Sequence, residues 1–404
     1  MTTIAGADRN ANGTPMPELA TIQRRGLVVG ASALVLAIVG GVLNRSAFFQ
    51  AYLLGYLFWT GIGVGCLGLL MLHHLVGGRW GFAIQRLLEA GVRTLPLMAL
   101  LFLPILFGLQ DLYPWARPEV MATDALLQFK QRYLNAPAFF GRAVFYFLIW
   151  IGAGTILTML SARQDQGLDA GRLTRRLQVW SGPGLVVYGF AVTFAAVDWA
   201  MSLEPHWYST IYGVVFLVGQ GLLALAFVTR VAICLAHRPP LQTVLGAGQL
   251  HDLGNLLLAF VMLWAYIAFS QYLIIWSGNL PEENHWYLHR MDHGWGVLAV
   301  ILIVFHFVVP FLLLLSRITK RRAKILGVVA TGILVVRFVD LFWLIVPALH
   351  SEGFHAHWLD LALPVGLGGL WLATFAAGLR RRPLLAEQDP RFAGLADAAH
   401  GAHG

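Results

Sequence analysis

Ten long apolar runs, each bounded by charged or turn-forming residues, dominate this sequence of 404 residues. A helix needs roughly 20 apolar residues to cross the hydrocarbon core of a bilayer, and within lipid only helices and closed barrels satisfy their backbone hydrogen bonds. The sequence therefore predicts an all-α polytopic membrane protein with ten transmembrane helices. These runs lie near residues 26–43, 50–74, 95–113, 138–160, 179–202, 207–235, 253–277, 294–316, 325–348 and 358–379.

The composition leaves little material outside the membrane, because 58% of the residues are hydrophobic and only 12% are charged. We expect a ten-helix membrane domain over residues 24–380, between disordered cytoplasmic tails at 1–23 and 381–404. The segment from Gly78 to Thr94 carries arginines at seven-residue spacing between apolar residues, which predicts an amphipathic helix on the cytoplasmic surface.

A short similarity between two parts of the sequence suggests a repeat within the membrane domain. Asp198 precedes Pro205 by seven residues near the end of the fifth span, and Asp340 precedes Pro347 by seven near the end of the ninth. Helices four apart in a serial bundle run in the same direction. This similarity thus predicts two parallel four-helix bundles, spans 2–5 and 6–9, with two flanking helices. Chance similarity is the alternative explanation. The bundles would cover about residues 50–202 and 207–348.

The formal net charge of +8 follows from membrane topology and does not indicate a nucleic-acid partner. Ten spans place both termini on one side, and 21 of the 28 lysines and arginines fall there. An excess of basic residues marks the cytoplasmic side. The sequence therefore predicts a multi-pass membrane protein with both termini in the cytoplasm. The opposite side holds Arg45, Arg117, Lys130, Arg132 and Arg290.

The two cysteines, Cys66 and Cys234, lie inside apolar runs, and no C-x-x-C or C-x-x-C-H motif occurs. Iron–sulfur clusters, zinc sites and covalent c-type haem all need such ligands. His293 and His306 have a spacing close to that of stacked b-type haems, but no second helix carries matching histidines. We therefore expect no metal site and no covalently bound cofactor in this chain.

Ionisable residues inside spans are costly and are the best pointers to function. Arg142 in span four and Asp198 in span five lie at similar depth, with Glu204 and His206 just beyond them. These four residues are candidates for a quinone site at the outer face. A structural ion pair that fixes helix packing is the alternative for Arg142 and Asp198.

A second polar group is expected near the middle of the membrane. His306 and Arg337 each lie roughly twelve residues into their spans, ~18 Å from the entry face, and Asp340 follows Arg337 on the same helical face. Candidates for a proton path are His306, Arg337, Asp340, Ser270 and Gln271, together with His73 and His74 at the end of span two. A satisfied structural pair beside a neutral histidine is the alternative. No catalytic residue is predicted.

Several strings resemble a known family. Gly182-Pro183-Gly184, the stretch from Val197 through Asp198 to Gly213, and the long string from His251 to Glu283 closely resemble the second large membrane subunits of alternative complex III. Those subunits belong to the polysulfide-reductase-type (NrfD-like) membrane proteins. The resemblance runs from about residue 50 to residue 380.

This resemblance implies a subunit of a respiratory quinol:cytochrome c, or other acceptor, oxidoreductase that contributes to quinone binding, to transmembrane proton conduction, or to both. Quinone or quinol would be the ligand, and the chain would not be catalytic alone. The implied partners are a sister NrfD-like subunit, an iron–sulfur protein and c-type cytochromes, which would carry the clusters and haem c, within membrane lipid. A secondary transporter and a purely structural scaffold subunit are the alternatives.

Overall fold

The computed structural model describes residues 17–167, 169–350, 353–386 and 388–391. Within these ranges the chain forms helices and no strand, and ten helices are long and apolar enough to cross a membrane. The predicted all-α polytopic fold is thereby confirmed. In chain order the ten helices are α1 Pro17–Leu43, α2 Arg45–Val76, α3 Arg79–Phe107, α4 Ala136–Gln164, α5 Ala170–Leu203, α6 Tyr212–Leu235, α7 Ala247–Gly278, α8 Trp295–Leu315, α9 Ala323–Leu349 and α10 Leu359–Arg380.

Asparagines mark several helix ends. The side chain of Asn44 accepts a hydrogen bond from the Ala47 amide at 3.0 Å, and that of Asn135 accepts one from Ala138 at 2.9 Å. Each bond satisfies an amide that the first turn of a helix leaves unpaired. Asn279 ends α7 with a left-handed φ of 49°, a conformation that asparagine tolerates better than most residues.

The helices pack as two groups of four with a flanking pair. Helices α2 to α5 contact one another, as do α6 to α9, and α6 joins the groups by packing against α2 and α5. Helices α1 and α10 pack together beside α2. Their close approach depends on glycine, since a Cβ on Gly30 would lie 3.0 Å from the carbonyl oxygen of Gly366. The grouping matches the predicted architecture.

Helix α3 is broken into the pieces Arg79–Val92, Leu95–Leu100 and Leu103–Phe107. Prolines at positions 96 and 104 lie in the first turns of the last two pieces, where a missing amide hydrogen costs nothing. The first piece is helical as predicted, but it is buried from Gly81 to Val92 and does not lie on the surface. Ion pairs inside the protein neutralise its charged residues, which allows this burial.

Parts of the segments predicted to be disordered tails are ordered in the structure. Helix α1 already begins at Pro17, and residues 1–16 lie outside the described part of the chain. After α10, Leu384 and Leu385 are buried, and Arg382 donates a 2.6 Å hydrogen bond to Glu89. This segment is ordered because its arginine meets a buried carboxylate. Residue 387 and residues 392–404 are outside the described ranges.

Gly65 tests the close packing of α2 against α6. A Cβ on Gly65 would lie 2.2 Å from the carbonyl oxygen of Gln220, whereas one on Gly152 in α4 would meet nothing within 4 Å. We expect Gly65→Ala to lower the thermal unfolding midpoint in detergent, because backbone must move. Gly152→Ala is the control and should leave the midpoint unchanged or raise it, since alanine favours helix by up to ~1 kcal/mol. Equal midpoints for the two variants would contradict this packing.

Candidate functional site

Arg142 and Asp198 form a two-pronged ion pair between α4 and α5. Arg142 Nε lies 2.8 Å from Asp198 Oδ2 and Nη2 lies 3.0 Å from Oδ1, while the Tyr146 hydroxyl donates to Oδ2 at 2.7 Å. Asp198 is fully buried. The guanidinium also lies 3.8 Å over the ring of Tyr133. Both carboxylate oxygens of Asp198 therefore have hydrogen-bond partners. The ion pair links α4 to α5, and we refer to it as the Arg142–Asp198 clasp.

Glu204 and His206 do not join this pair. Glu204 binds Arg290, whose Nη2 lies 2.6 Å from Oε2, and His206 Nε2 lies 2.8 Å from Asp124 Oδ2. The pKa of Asp124 is lowered chiefly by the amide hydrogen bond from Leu127 and further by His206. The four residues that the sequence predicted to form one quinone site therefore belong to three separate pairs of side chains.

Arg337 and Asp340 are paired on adjacent turns of α9, as their spacing predicts. Their side chains make an ion pair, and each is almost completely buried. Trp264 Nε1 of α7 donates to Asp340 Oδ2 at 3.2 Å, and Arg337 Nε donates to the Gly219 carbonyl at 3.2 Å. A Cβ on Gly219 would lie 2.0 Å from the guanidinium. Because Gly219 has no side chain, α6 leaves space at this position for the guanidinium of Arg337.

His306 lies close to this pair but is not bonded to it. It is fully buried in a stretch of π-helix, Ile303–Val308, in the middle of α8. Its ring centroid lies 3.9 Å from that of Trp264, and neither ring nitrogen has a hydrogen-bond partner among the described residues. Short π-helical turns are rare and recur at functional sites. A buried imidazole without a hydrogen-bond partner is uncommon, because buried polar groups are usually paired.

A cavity of about 740 Å³ opens beside this cluster. Its lining comes from α7, α8, α9 and the outer helix Pro281–Met291, and most of it is aromatic or aliphatic. Tyr266, Phe269 and Ile303 line it and are 66%, 60% and 59% exposed. Because these side chains belong to spanning helices, the cavity opens sideways toward lipid.

The polar side chains that line the cavity include Asp340, Gln271 and Tyr287. Gln271 Nε2 donates to the Tyr287 hydroxyl at 3.2 Å, and its Oε1 accepts from Ser209 Oγ at 3.5 Å. Burial raises the pKa of Tyr287 to about 12, so this hydroxyl keeps its proton at neutral pH. Ser270 is half-buried and does not line the cavity. The arrangement offers hydrogen-bond donors and acceptors at one end of an apolar space.

Arg290 supports the outer wall of the cavity. It is fully buried, its guanidinium lies 3.7 Å over the ring of Trp286, and Trp286 stacks on Trp207 at 4.6 Å. The ion pair from Arg290 to Glu204 connects this wall to the loop that follows α5. Bundle one thereby holds the outer helix that closes the cavity in bundle two.

His73 and His74 lie in the first bundle, buried at the end of α2. The His73 ring packs edge-on to Phe82 at 5.0 Å, and Arg391 Nη1 donates to the His74 carbonyl at 3.2 Å. Among the described residues no hydrogen bond connects either histidine to Arg337 or Asp340. The structure therefore separates these two candidates from the rest of the predicted proton path.

Sequence reasoning missed much of the surroundings of these sites. Tyr146, Trp264, Tyr287 and Arg290 were not predicted, because aromatic and basic residues near span ends are also typical of ordinary membrane interfaces. The buried network on the terminus side was missed as well. It joins Arg86, Glu89, Ser161, Asp165 and Arg382. The only signal for it was the three-residue spacing of Arg86 and Glu89.

Neither a family model nor a curated protein matched the chain. Among the described residues, no group of three or more His, Cys, Asp and Glu side chains could hold a metal ion. The site is thus defined by its geometry: a buried ion pair, a histidine without a hydrogen-bond partner, and a lipid-facing cavity lined by Asp340, Gln271 and Tyr287.

The cost of leaving one buried charge of the Arg142–Asp198 clasp unpaired predicts a particular pattern of stability. Asp198→Asn leaves the guanidinium without its counter-charge and should cost about 3 kcal/mol, whereas the double variant Arg142→Met with Asp198→Leu should recover most of this loss. Thermal unfolding in detergent measures both variants. A double variant that is less stable than Asp198→Asn alone would show that the pair itself stabilises the fold.

Proposed function

We propose that this chain is a membrane subunit of a respiratory quinol oxidoreductase and that the cavity in its second bundle receives the headgroup of a quinone or quinol. The observation that carries the proposal is the cavity itself, with Asp340, Gln271 and Tyr287 at one end and lipid at the other. Its volume of about 740 Å³ falls in the range of small-molecule sites, roughly 300–1,000 Å³.

The chemistry of the lining suits this ligand class. A quinone has an apolar tail and a flat ring with oxygens on opposite edges, and these oxygens need hydrogen-bond donors when oxidised and acceptors when reduced. The Tyr287 hydroxyl and the Gln271 amide can serve in both ways. The aromatic side chains of Trp286, Trp343 and Phe307 line the same space and suit a flat ring.

Proton transfer is the step that this chain could perform. Oxidation of a quinol to a quinone releases two electrons and two protons. In our proposal Asp340 accepts one proton, and Arg337 keeps its bond to the Gly219 carbonyl while the charge of its partner is lost. The second proton and both electrons pass to groups outside this chain. The electron acceptors would be haem c or iron–sulfur clusters of the partner subunits.

His306 extends this route. Trp264 touches both groups, since it donates to Asp340 and packs on the His306 ring. A proton held at Asp340 weakens that hydrogen bond, because a neutral carboxyl accepts less strongly than a carboxylate. The ring nitrogens of His306 have no hydrogen-bond partner among the described residues and are then available as proton acceptors. This gives His306, Arg337 and Asp340 a joint role in proton conduction.

A secondary transporter is the second candidate. The observation that favours it is the broken helix α3, since transporters often bind substrate at interrupted helices. Purification in mild detergent separates the two candidates. Co-purification with c-type haem supports the oxidoreductase, whereas a lone haem-free chain with substrate uptake supports the transporter.

Variants of the cavity test quinol binding. Gln271→Leu removes a donor and an acceptor and should raise the KM for a short-chain quinol analogue about tenfold, the effect of about 1.4 kcal/mol. The measurement is quinol-dependent reduction of haem in the purified complex. Tyr208→Phe is the control, because Tyr208 is 59% exposed and does not line the cavity. An unchanged KM in the assembled Gln271→Leu complex would refute quinol binding at this site.

In the same assay Asp340→Asn should lower kcat with little change in KM, because the amide keeps the shape of the carboxylate but cannot take the proton. The double variant Arg337→Met with Asp340→Leu removes both charges and avoids an unpaired buried arginine. We expect it to assemble and to turn over slowly. Full turnover in the double variant would favour the purely structural scaffold.

We also propose that both termini lie in the cytoplasm of a bacterial cell, on the basis of the basic residues on that side. Chemical labelling of Cys234 tests this orientation. Cys234 is exposed at the end of α6 that lies on the same side as the termini, whereas Cys66 is buried. A membrane-impermeant maleimide should label Cys234 in inverted membrane vesicles and not in intact spheroplasts. Cys234→Ser is the control for residual labelling. Labelling in spheroplasts alone would reverse the orientation.

A further inference from the structure

Helix α5 carries three exposed arginines at the end that lies on the terminus side. Arg172, Arg175 and Arg176 are exposed and make no ion pair with any described carboxylate. The nearby Asp165 is bound instead by Arg86 and Arg382. Three positive charges are thus left without a counter-charge from the described part of the protein.

The arginines share one face of α5 with an apolar stripe. At 100° per residue, Val179, Val186, Phe190 and Phe194 lie within about 40° of Arg172 around the helix axis. The four apolar side chains are 63%, 61%, 63% and 47% exposed. The opposite face holds buried residues such as Leu177, Tyr188 and Trp199. The charged end and the apolar stripe therefore form one continuous surface toward lipid.

The dimensions of this surface match a phospholipid. Phe190 lies 14 positions beyond Arg176, which is about 21 Å along the axis, and one leaflet with its headgroup region is about 20 Å thick. Trp180 is 54% exposed one turn from Arg176, at the depth where interfacial tryptophans anchor a helix. The stripe therefore spans the depth of the acyl chains while the arginines lie at headgroup level.

The Gly182-Pro183-Gly184 string adds a notch to the stripe. Pro183 is exposed on the same face between Val179 and Val186, and a Cβ on Gly182 would meet only Leu75, at 3.9 Å. No long side chain projects from this turn of the helix. The break in the stripe leaves room for part of an acyl chain to lie against the helix backbone.

From this surface we infer a binding site on α5 for an anionic phospholipid, whose phosphodiester is held by Arg172, Arg175 and Arg176 and whose acyl chains lie along Val179 to Phe194. Guanidinium groups donate two parallel hydrogen bonds to phosphate oxygens. Each basic residue near an anionic membrane surface raises affinity about fivefold, and three together raise it on the order of a hundredfold. An isolated phosphate would not use the apolar stripe, so a lipid is the ligand that fits both parts.

The test uses lipids with a photoreactive diazirine on the acyl chain. The full-length chain, purified with its bound partners, is placed in phosphatidylcholine nanodiscs with a trace of photoreactive phosphatidylglycerol or of phosphatidylcholine with the same chains. Mass spectrometry then maps the adducts. We expect phosphatidylglycerol to label Val179 to Phe194 at least tenfold more than phosphatidylcholine, and the triple variant R172Q/R175Q/R176Q to abolish that preference.

The matched control is R317Q/R321Q/R322Q, which removes three exposed arginines that are also without ion pairs on the same side of the membrane. This control variant should keep the preferential labelling of α5 by phosphatidylglycerol. Helical content measured by circular dichroism checks that both triple variants fold. Equal labelling by the two lipids in the unaltered protein would overturn the site. So would the absence of any adduct on this stripe, which would mean that a protein partner covers it.

Discussion

A charge buried among membrane helices must find an opposite charge or a strong hydrogen bond, because the lipid offers neither. The arrangement of this protein follows from that constraint. Arg142 finds Asp198 on the next helix, Arg337 finds Asp340 on its own, and Arg290 finds Glu204 in the loop that joins the two bundles. The Arg142–Asp198 and Arg290–Glu204 pairs join different elements, and Arg337 and Asp340 also bond to α6 and α7. These contacts fix helices that apolar packing alone would leave free to slide, since lipid and helix surfaces are similarly apolar.

The two bundles use corresponding aspartates in different ways. Asp198 is saturated by a two-pronged arginine and a tyrosine, and it lies in a closed aromatic setting. Asp340 has an arginine and a tryptophan as partners and also borders a cavity. A carboxylate whose oxygens are all bonded acts as a structural group, whereas one beside an open space can meet a ligand. Among these two aspartates, Asp340 is thus the one that borders an open space.

The spanning helices are interrupted at or next to buried polar residues. The π-helical turn of α8 contains His306, and the breaks in α3 follow its buried segment with Arg86 and Glu89. Broken backbone in a membrane is tolerated where other protein groups surround it. The prolines of α3 made its breaks visible in the sequence. The π turn, which contacts α7 and α9, carries no proline that would have marked it in the sequence.

The sequence by itself determined the ten spans, the helical fold and the pairing of Arg337 with Asp340, since hydropathy and helical periodicity are local properties of the chain. It also brought Arg142 and Asp198 together through their matching depth. Only the tertiary structure decided that Glu204 turns to Arg290, that His73 and His74 are buried apart from His306, and that Gln271 and Tyr287 share a cavity with Asp340. Those contacts join residues from helices far apart in the chain, and the rotation of each helix about its axis, set by packing, decides which side chains meet.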